Sequence, residues 1–208
     1  MGSILFQAVF PQAGPFPKER YRELLTKLRN DGYAFAFPFE AVNSSKTAVI
    51  INDVDFEYSG ANSLSEVERE FGVRSWFFLR VDAAYFSQSI KFFKGLENEG
   101  WVIGFQYDSL SRADGNMTFA AELFSAQVVY IRSFFNVSLT TYHGDNEYNV
   151  SILNFELFQQ NPELWQSLAL KEVYSLQNFT YVRDTNRELV VPEQLGDLVL
   201  VQLHTNWW

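Results

Sequence analysis

The chain has 208 residues, 47% hydrophobic and 20% charged, which is the composition of a folded globular protein and not of a disordered one. A net charge of −9 with no offsetting Lys/Arg cluster argues against a binder of nucleic-acid phosphates. Zero Cys excludes disulfides, thiol nucleophiles and Cys-ligated zinc, and no apolar run approaches the length of a membrane span.

Residues 1–17 read as an irregular N-terminal segment, Pro-rich from Pro11 to Pro17, with Met1-Gly2-Ser3 a cloning remnant; Ile4 to Phe10 lacks the basic flank of a signal peptide. Residues 18–208 read as one domain, without a linker or a repeat of fixed period. Tyr21, Leu24, Leu25 and Leu28 form one apolar helical face, stopped by Asp31-Gly32. Tyr33 to Phe37 is a predicted strand ended by Pro38, and Ala48 to Ile51 is a short, β-branched, buried one. Ser63-Leu-Ser-Glu66 has capping-box form, which starts a helix there with Leu64, Val67 and Phe71 inward and Gly72 closing it.

The alternation continues with a strand over Ser75 to Leu79, a helix over Ser87 to Asn98 and a strand over Trp101 to Phe105. The helix carries Ile90, Phe93 and Leu96 or Glu97 along one side. A long helix follows over Thr118 to Phe134, with Phe119, Leu123, Ala126 and Ile131 expected inside, then a strand over Val137 to Thr141. Between Asn146 and Leu170 only Pro162 to Leu168 reads clearly, as a short helix; strands occupy Phe179 to Arg183 and Leu198 to Leu203. Strands alternating with helices predict an α/β fold with a mostly parallel sheet, open or closed as a barrel.

In such folds ligands bind beyond the carboxyl ends of the strands. Asp53, Asp55 and Glu57 follow the Ala48–Ile51 run at every second position, with no Lys or Arg among them. Mutually repelling carboxylates cost stability unless a cation or shared protons relieve them; the competing reading is an acidic loop in an acidic protein. Gln106 and Asp108 follow the next central strand, Asp184 follows Arg183, and both histidines of the chain, His143 and His204, fall at strand exits. A lone His is more often a surface or core residue than a ligand, but two of two on the carboxylate-bearing face favour a site.

These residues resemble the polysaccharide deacetylase (NodB-like) superfamily, in the branch whose first motif is Arg-His-Asp-Val-Asp. The corresponding stretches are Ile51-Asn-Asp-Val-Asp55, Phe71-Gly-Val-Arg-Ser-Trp-Phe-Phe-Leu79, Val102-Ile-Gly-Phe-Gln-Tyr-Asp108, Tyr142-His-Gly144 and Leu203-His-Thr-Asn-Trp-Trp208, in order from about Tyr21 to the last residue. The resemblance implies a distorted, incomplete (β/α) barrel. It also implies metal-dependent removal of an acetyl group from an N-acetylated carbohydrate or small substrate, with zinc the usual metal. On that basis Asp53 is the general base and His204 the general acid. Asp55 is the anionic metal ligand and His143 a second ligand or oxyanion contact, while Asp184 serves as a substrate or supporting group. Gln106 stands where the family has a metal-binding His, and Asp108, Tyr142 and Trp207 are substrate-side candidates. Leu110 replaces the partner His four residues on, Asn52 replaces the motif-one His, and Thr205 replaces a Pro. An Asp55, Gln106 and His143 set suits a harder cation better than zinc.

Two readings therefore stand: a hydrolase, or a carbohydrate-binding or interaction domain that has lost metal and catalysis. Aromatic residues near the predicted strand ends (Trp101, Tyr107, Tyr142, Trp207 and Trp208) suit sugar stacking, although most such residues lie in cores. The Asp53 stretch fails as an EF-hand, because Tyr58 and Leu64 occupy the Gly and Glu positions. No Gly-x-Ser-x-Gly and no Gly-rich phosphate loop is present. Five N-x-Ser/Thr sequons, at Asn43, Asn116, Asn136, Asn149 and Asn178, lean toward an extracellular or cell-envelope location.

Overall fold

The computed structural model describes residues 16–37, 45–144, 153–175, 178–185 and 188–208. Its sheet is built outward from β2 (Thr47–Val54), in which every residue is buried. A near-continuous apolar run is what a parallel strand needs when both its faces are covered. β2 pairs in parallel with β1 (Ala34–Ala36), β3 (Trp76–Leu79) and β9 (Leu198–His204). Beyond β3 come β4 (Val102–Tyr107), β5 (Leu139–Tyr142) and β6 (Lys171–Glu172); beyond β9 come β7 (Thr180–Thr185) and β8 (Glu188–Val190). All these pairings are parallel except the β7–β8 hairpin, and the sheet curls into an open, incomplete (β/α) barrel.

The helices α1 (Lys18–Asn30), α2 (Ser59–Phe71), α3 (Phe86–Asn98), α4 (Ser109–Arg112), α5 (Met117–Arg132), α6 (Phe155–Gln160) and α7 (Pro162–Ser167) connect the strands. Strand alternation divides the apolar residues into two layers. Ile50, Val54, Phe77, Ile103 and Val201 face the helices, whereas Val49, Ile51, Phe78 and Leu200 fill the inside of the half-barrel. At the centre of the inner layer the Phe78 ring lies on Gly104, where an added Cβ would come within 2.3 Å of the ring. Asp53, Phe78 and Gly104 share one rung of the sheet.

Three expectations need correction. The β2 ladder runs three residues past Ile51, because β9 pairs with it as far as Asp53 and β3 as far as Val54, so Asp53 lies inside the strand and not after it. α2 begins at Ser59, not after a cap at Ser63, and Tyr58 in the N-cap position offers no side-chain bond. A tertiary contact sets that start: Gly60 packs so closely on the carbonyl of Thr205 that a Cβ would approach it to 1.9 Å. The inward face of α5 is also shifted, because Ala120, Phe124, Val128 and Ile131 are buried while Phe119 and Ala126 are exposed. Apolar residues occur on both sides of this helix, so periodicity could not choose between them.

Of the predicted entry segment only Phe16 and Pro17 are described. Of the sequons, Asn43 and Asn149 lie outside the described residues, while Asn116, Asn136 and Asn178 are exposed. No helix among the described residues is long and apolar enough to cross a membrane.

Candidate active site

The carboxyl ends of β2 and β9 place the chemistry. Asp53 and His204 are register partners on these adjacent parallel strands, so both side chains point into the half-barrel. Asp53 is almost fully buried; its Oδ2 accepts from the Gln202 Nε2 amide at 2.7 Å, and its Oδ1 has no hydrogen-bond partner among the described residues. Just past the end of β2, Asp55 points the same way. Its Oδ1 lies 3.6 Å from His143 Nε2 and its Oδ2 lies 4.0 Å from His204 Nε2. His143 follows β5 and donates its backbone N–H to the Tyr107 carbonyl at 2.8 Å. One carboxylate thus stands between the only two histidines of the chain.

Asp184 comes from behind. It shares the helix side of β7 with Val182, and it accepts four contacts. His204 gives it a backbone N–H at 2.9 and 3.1 Å and its ring Nδ1 at 2.6 Å, and Trp208 Nε1 donates at 2.6 Å. This anchoring turns His204 Nε2 toward Asp53 Oδ2, 3.9 Å away. Such a gap is too long for a hydrogen bond, and a reacting group placed beside the pair can reach both the acid and the base.

The charges follow from this arrangement. Burial pushes the Asp53 carboxyl up to about 7; the His204 charge and the Gln202 bond oppose that rise, and Asp55 adds to it. Burial by itself would lower the His204 imidazole, but the Asp184 hydrogen bond and charge, together with Asp53 and Asp55, outweigh it and raise the group to about 9. Burial also raises Asp184, against the four bonds it accepts. Burial thus favours the acid form of Asp53, and the Asp184 hydrogen bond and charge favour the cationic form of His204. Neighbouring groups with such different environments are the arrangement that separates an acid from a base.

Other candidates fall into two groups. Gln106 is buried on the inner face of β4, and its Oε1 has no partner among the described residues; Thr141, its register partner, carries a second orphaned oxygen. Trp207 lies against the His204 ring with centroids 4.8 Å apart, and Tyr142 packs on Phe155 and Tyr174 at 5.3 and 4.8 Å. Asp108 does not join them, because its carboxylate is held by Arg80 at 2.9 Å and Arg112 at 2.7 Å. Sequence reasoning missed Gln202, although it sits two positions before His204 and so shares its face.

Buried oxygens without partners are rare and call for an explanation. Here Asp53, Asp55 and Gln106 each present one. Asp55 with the His143 imidazole beside it, and the Gln106 amide oxygen, are donor types of the kind a divalent cation that prefers oxygen takes. They do not form a dense cage: no group of three His, Cys, Asp or Glu able to hold a metal occurs among the described residues.

Two solved structures share this architecture. One is the catalytic domain of a peptidoglycan N-acetylglucosamine deacetylase from Eubacterium rectale ATCC 33656, with a TM-score of 0.56 and 13% identity, covering 82% of this chain and 80% of that one. The other is the Bc1960 peptidoglycan N-acetylglucosamine deacetylase, with a TM-score of 0.52 and 17% identity, covering 86% of this chain and 79% of that one. The chain therefore has the NodB-like polysaccharide deacetylase fold. No protein-family model matches the chain, and no curated protein matches it in sequence.

Proposed function

We propose that the chain is a carbohydrate N-deacetylase, a hydrolase that cleaves the amide of an N-acetylated sugar. The observation that carries this reading is the Asp53–His204 pair, held face to face by strand register with Asp184 fixed behind the imidazole. Asp53, oriented by Gln202, accepts the proton of the attacking water. His204, held as a cation by Asp184, delivers a proton to the departing amine, which without it is a poor leaving group. Trp207, packed on the His204 ring, limits the positions the imidazole can take. Asp55, His143 and Gln106 would hold a divalent cation, which when bound polarises the acetamide carbonyl and lowers the pKa of the attacking water.

The resemblance to N-acetylglucosamine deacetylases supports the substrate class, and the half-buried aromatic side chains of Tyr142 and Trp207 supply stacking surfaces for a pyranose ring. The test is acetate release from N-acetylated oligosaccharides, run alongside metal content by mass spectrometry before and after a chelator. Acetate release that falls with the metal and returns on its restoration is the expected result. Absence of release at every metal loading, with retained glycan binding, would replace the enzyme by a binding domain on the same fold.

A further inference from the structure

Asn154 is fully buried and stands at the head of α6, where an Asn usually caps its own helix with its side-chain oxygen, yet it makes no such bond. Its Oδ1 accepts instead from the backbone N–H of Leu110 at 3.1 Å and of Ser111 at 3.0 Å, both in the first turn of α4. Asp108, in the cap position of α4, makes no cap bond, because Arg80 and Arg112 hold its carboxylate. The other half of the Asn154 amide reaches the candidate site. Its Nδ2 donates to the backbone carbonyl of His143 at 3.0 Å and to Ser111 Oγ at 3.2 Å. Ser111 can accept there, since its own hydroxyl proton goes to the Asp108 carbonyl at 2.9 Å.

The partners fix which way round this amide lies. Two backbone N–H groups require its oxygen on one side, and a carbonyl requires its NH2 on the other. An ionised Asp has no donor for the carbonyl, so the position calls for an amide.

His143 needs such a hold. β5 ends at Tyr142, so His143 lies beyond the ladder, and the next residue is Gly144, where an added Cβ would meet nothing within 4 Å. A Gly in open space leaves the His143–Gly144 peptide free to turn. Two hydrogen bonds oppose that freedom: His143 donates its N–H to the Tyr107 carbonyl at 2.8 Å, and its carbonyl accepts from Asn154. With both backbone polar groups fixed, the direction of the side chain is set, and Nε2 stands 3.6 Å from Asp55 Oδ1.

We propose that Asn154 is the positioning residue for His143, using the first turn of α4 as its anchor and setting the imidazole in place beside Asp55. The functional weight of this contact rests on the role of His143 proposed above, whereas the position of the ring can be read without it.

The chain has only two histidines, so the imidazole NMR signals that remain in His204→Gln identify His143. Asn154→Asp keeps an oxygen for the α4 N–H groups and turns a second oxygen toward the His143 carbonyl. In chelator-treated protein it should shift the His143 ring signals and leave those of His204 in place. Asn154→Ala, which loses both ends of the amide, should repeat that shift. Ser111→Ala, which removes a different contact of Asn154, should move neither ring. In the acetate-release assay Asn154→Asp should lower turnover by about ten- to a hundredfold, the scale of a misplaced group, with Ser111→Ala within about twofold of the parent. A parent that releases no acetate but shows these shifts would sink the deacetylase reading and leave the positioning of His143 standing. His143 signals unmoved in both Asn154 variants, or moved as far by Ser111→Ala, would overturn the proposal, as would full turnover in Asn154→Asp where the parent is active. Failure of both variants to fold would overturn it too, by making Asn154 a residue of the scaffold alone.

Discussion

Two buried carboxylates, one on each side of β2, are built in opposite ways. On the helix side Glu68 accepts from Tyr21 at 2.9 Å and Asn52 at 3.2 Å through one oxygen, and from Ser75 at 2.8 Å and Trp101 through the other. Burial raises its pKa and the four bonds oppose the rise. Both oxygens are satisfied, and every donor comes from a different element or loop of the scaffold. On the inner side, one residue after Asn52, Asp53 has a single amide donor and an oxygen with no partner among the described residues. The first carboxylate is saturated and joins α1, α2, β2 and the loops that lead into β3 and β4; the second is left with capacity to bind or to take a proton. Burial is common to both, so burial does not mark the site. The carboxylate oxygen left without a partner among the described residues is what distinguishes Asp53 from Glu68.

Replacing each carboxylate by its amide gives the sharpest version of that contrast. Asp53→Asn should lower acetate release by at least roughly 100-fold, the usual scale for loss of a general base. Its thermal midpoint should hold or rise above neutral pH, since a buried charge disappears. A variant with full turnover would remove Asp53 from the chemistry. Glu68→Gln should do the reverse, turning an NH2 toward groups that are themselves donors. We expect a loss of roughly 2 to 3 kcal/mol in urea unfolding, with activity per folded molecule unchanged. Normal stability with lost activity would place Glu68 in the mechanism and break the comparison.

The smallest effect is a pH dependence. In chelator-treated protein the His204 pKa rises from 6.5 to about 9 on folding. Its stabilisation is therefore complete below pH 6.5 and is lost as pH rises through about 9. Asp53, raised from 3.8 to about 7, acts in a lower window, where stability likewise declines as pH rises. Thermal midpoints should fall between pH 6.5 and 9 in the parent, and His204→Gln should flatten the curve there. Parallel curves for the two proteins would show that the Asp184–His204 bond contributes no linked stability.

The strand-end residues were legible because parallel β/α folds gather their chemistry at carboxyl ends, and Asp53, Asp55, His143 and His204 all follow or finish apolar runs. Asp184 could be placed at a strand exit, but its position behind His204 depends on how far β7 runs past its neighbour, which no local pattern encodes. Asp108 looked equivalent to Asp53. Its neutralisation by Arg112, four residues on, was readable as a helical-spacing pair, whereas Arg80 comes from another strand. The α5 face was misassigned because pattern reading assumes one buried side per helix, and α5 has two apolar ones. β6 and β8, of two and three residues, are too short to carry a period, and only their pairing with β5 and β7 defines them.

The Phe78 ring over Gly104 closes the half-barrel on the same rung as Asp53. The ring lies at the depth of Asp53. Under the function proposed above, it would act as a ruler of acyl length, stopping an acetyl methyl there and turning a longer chain back toward the strand ends.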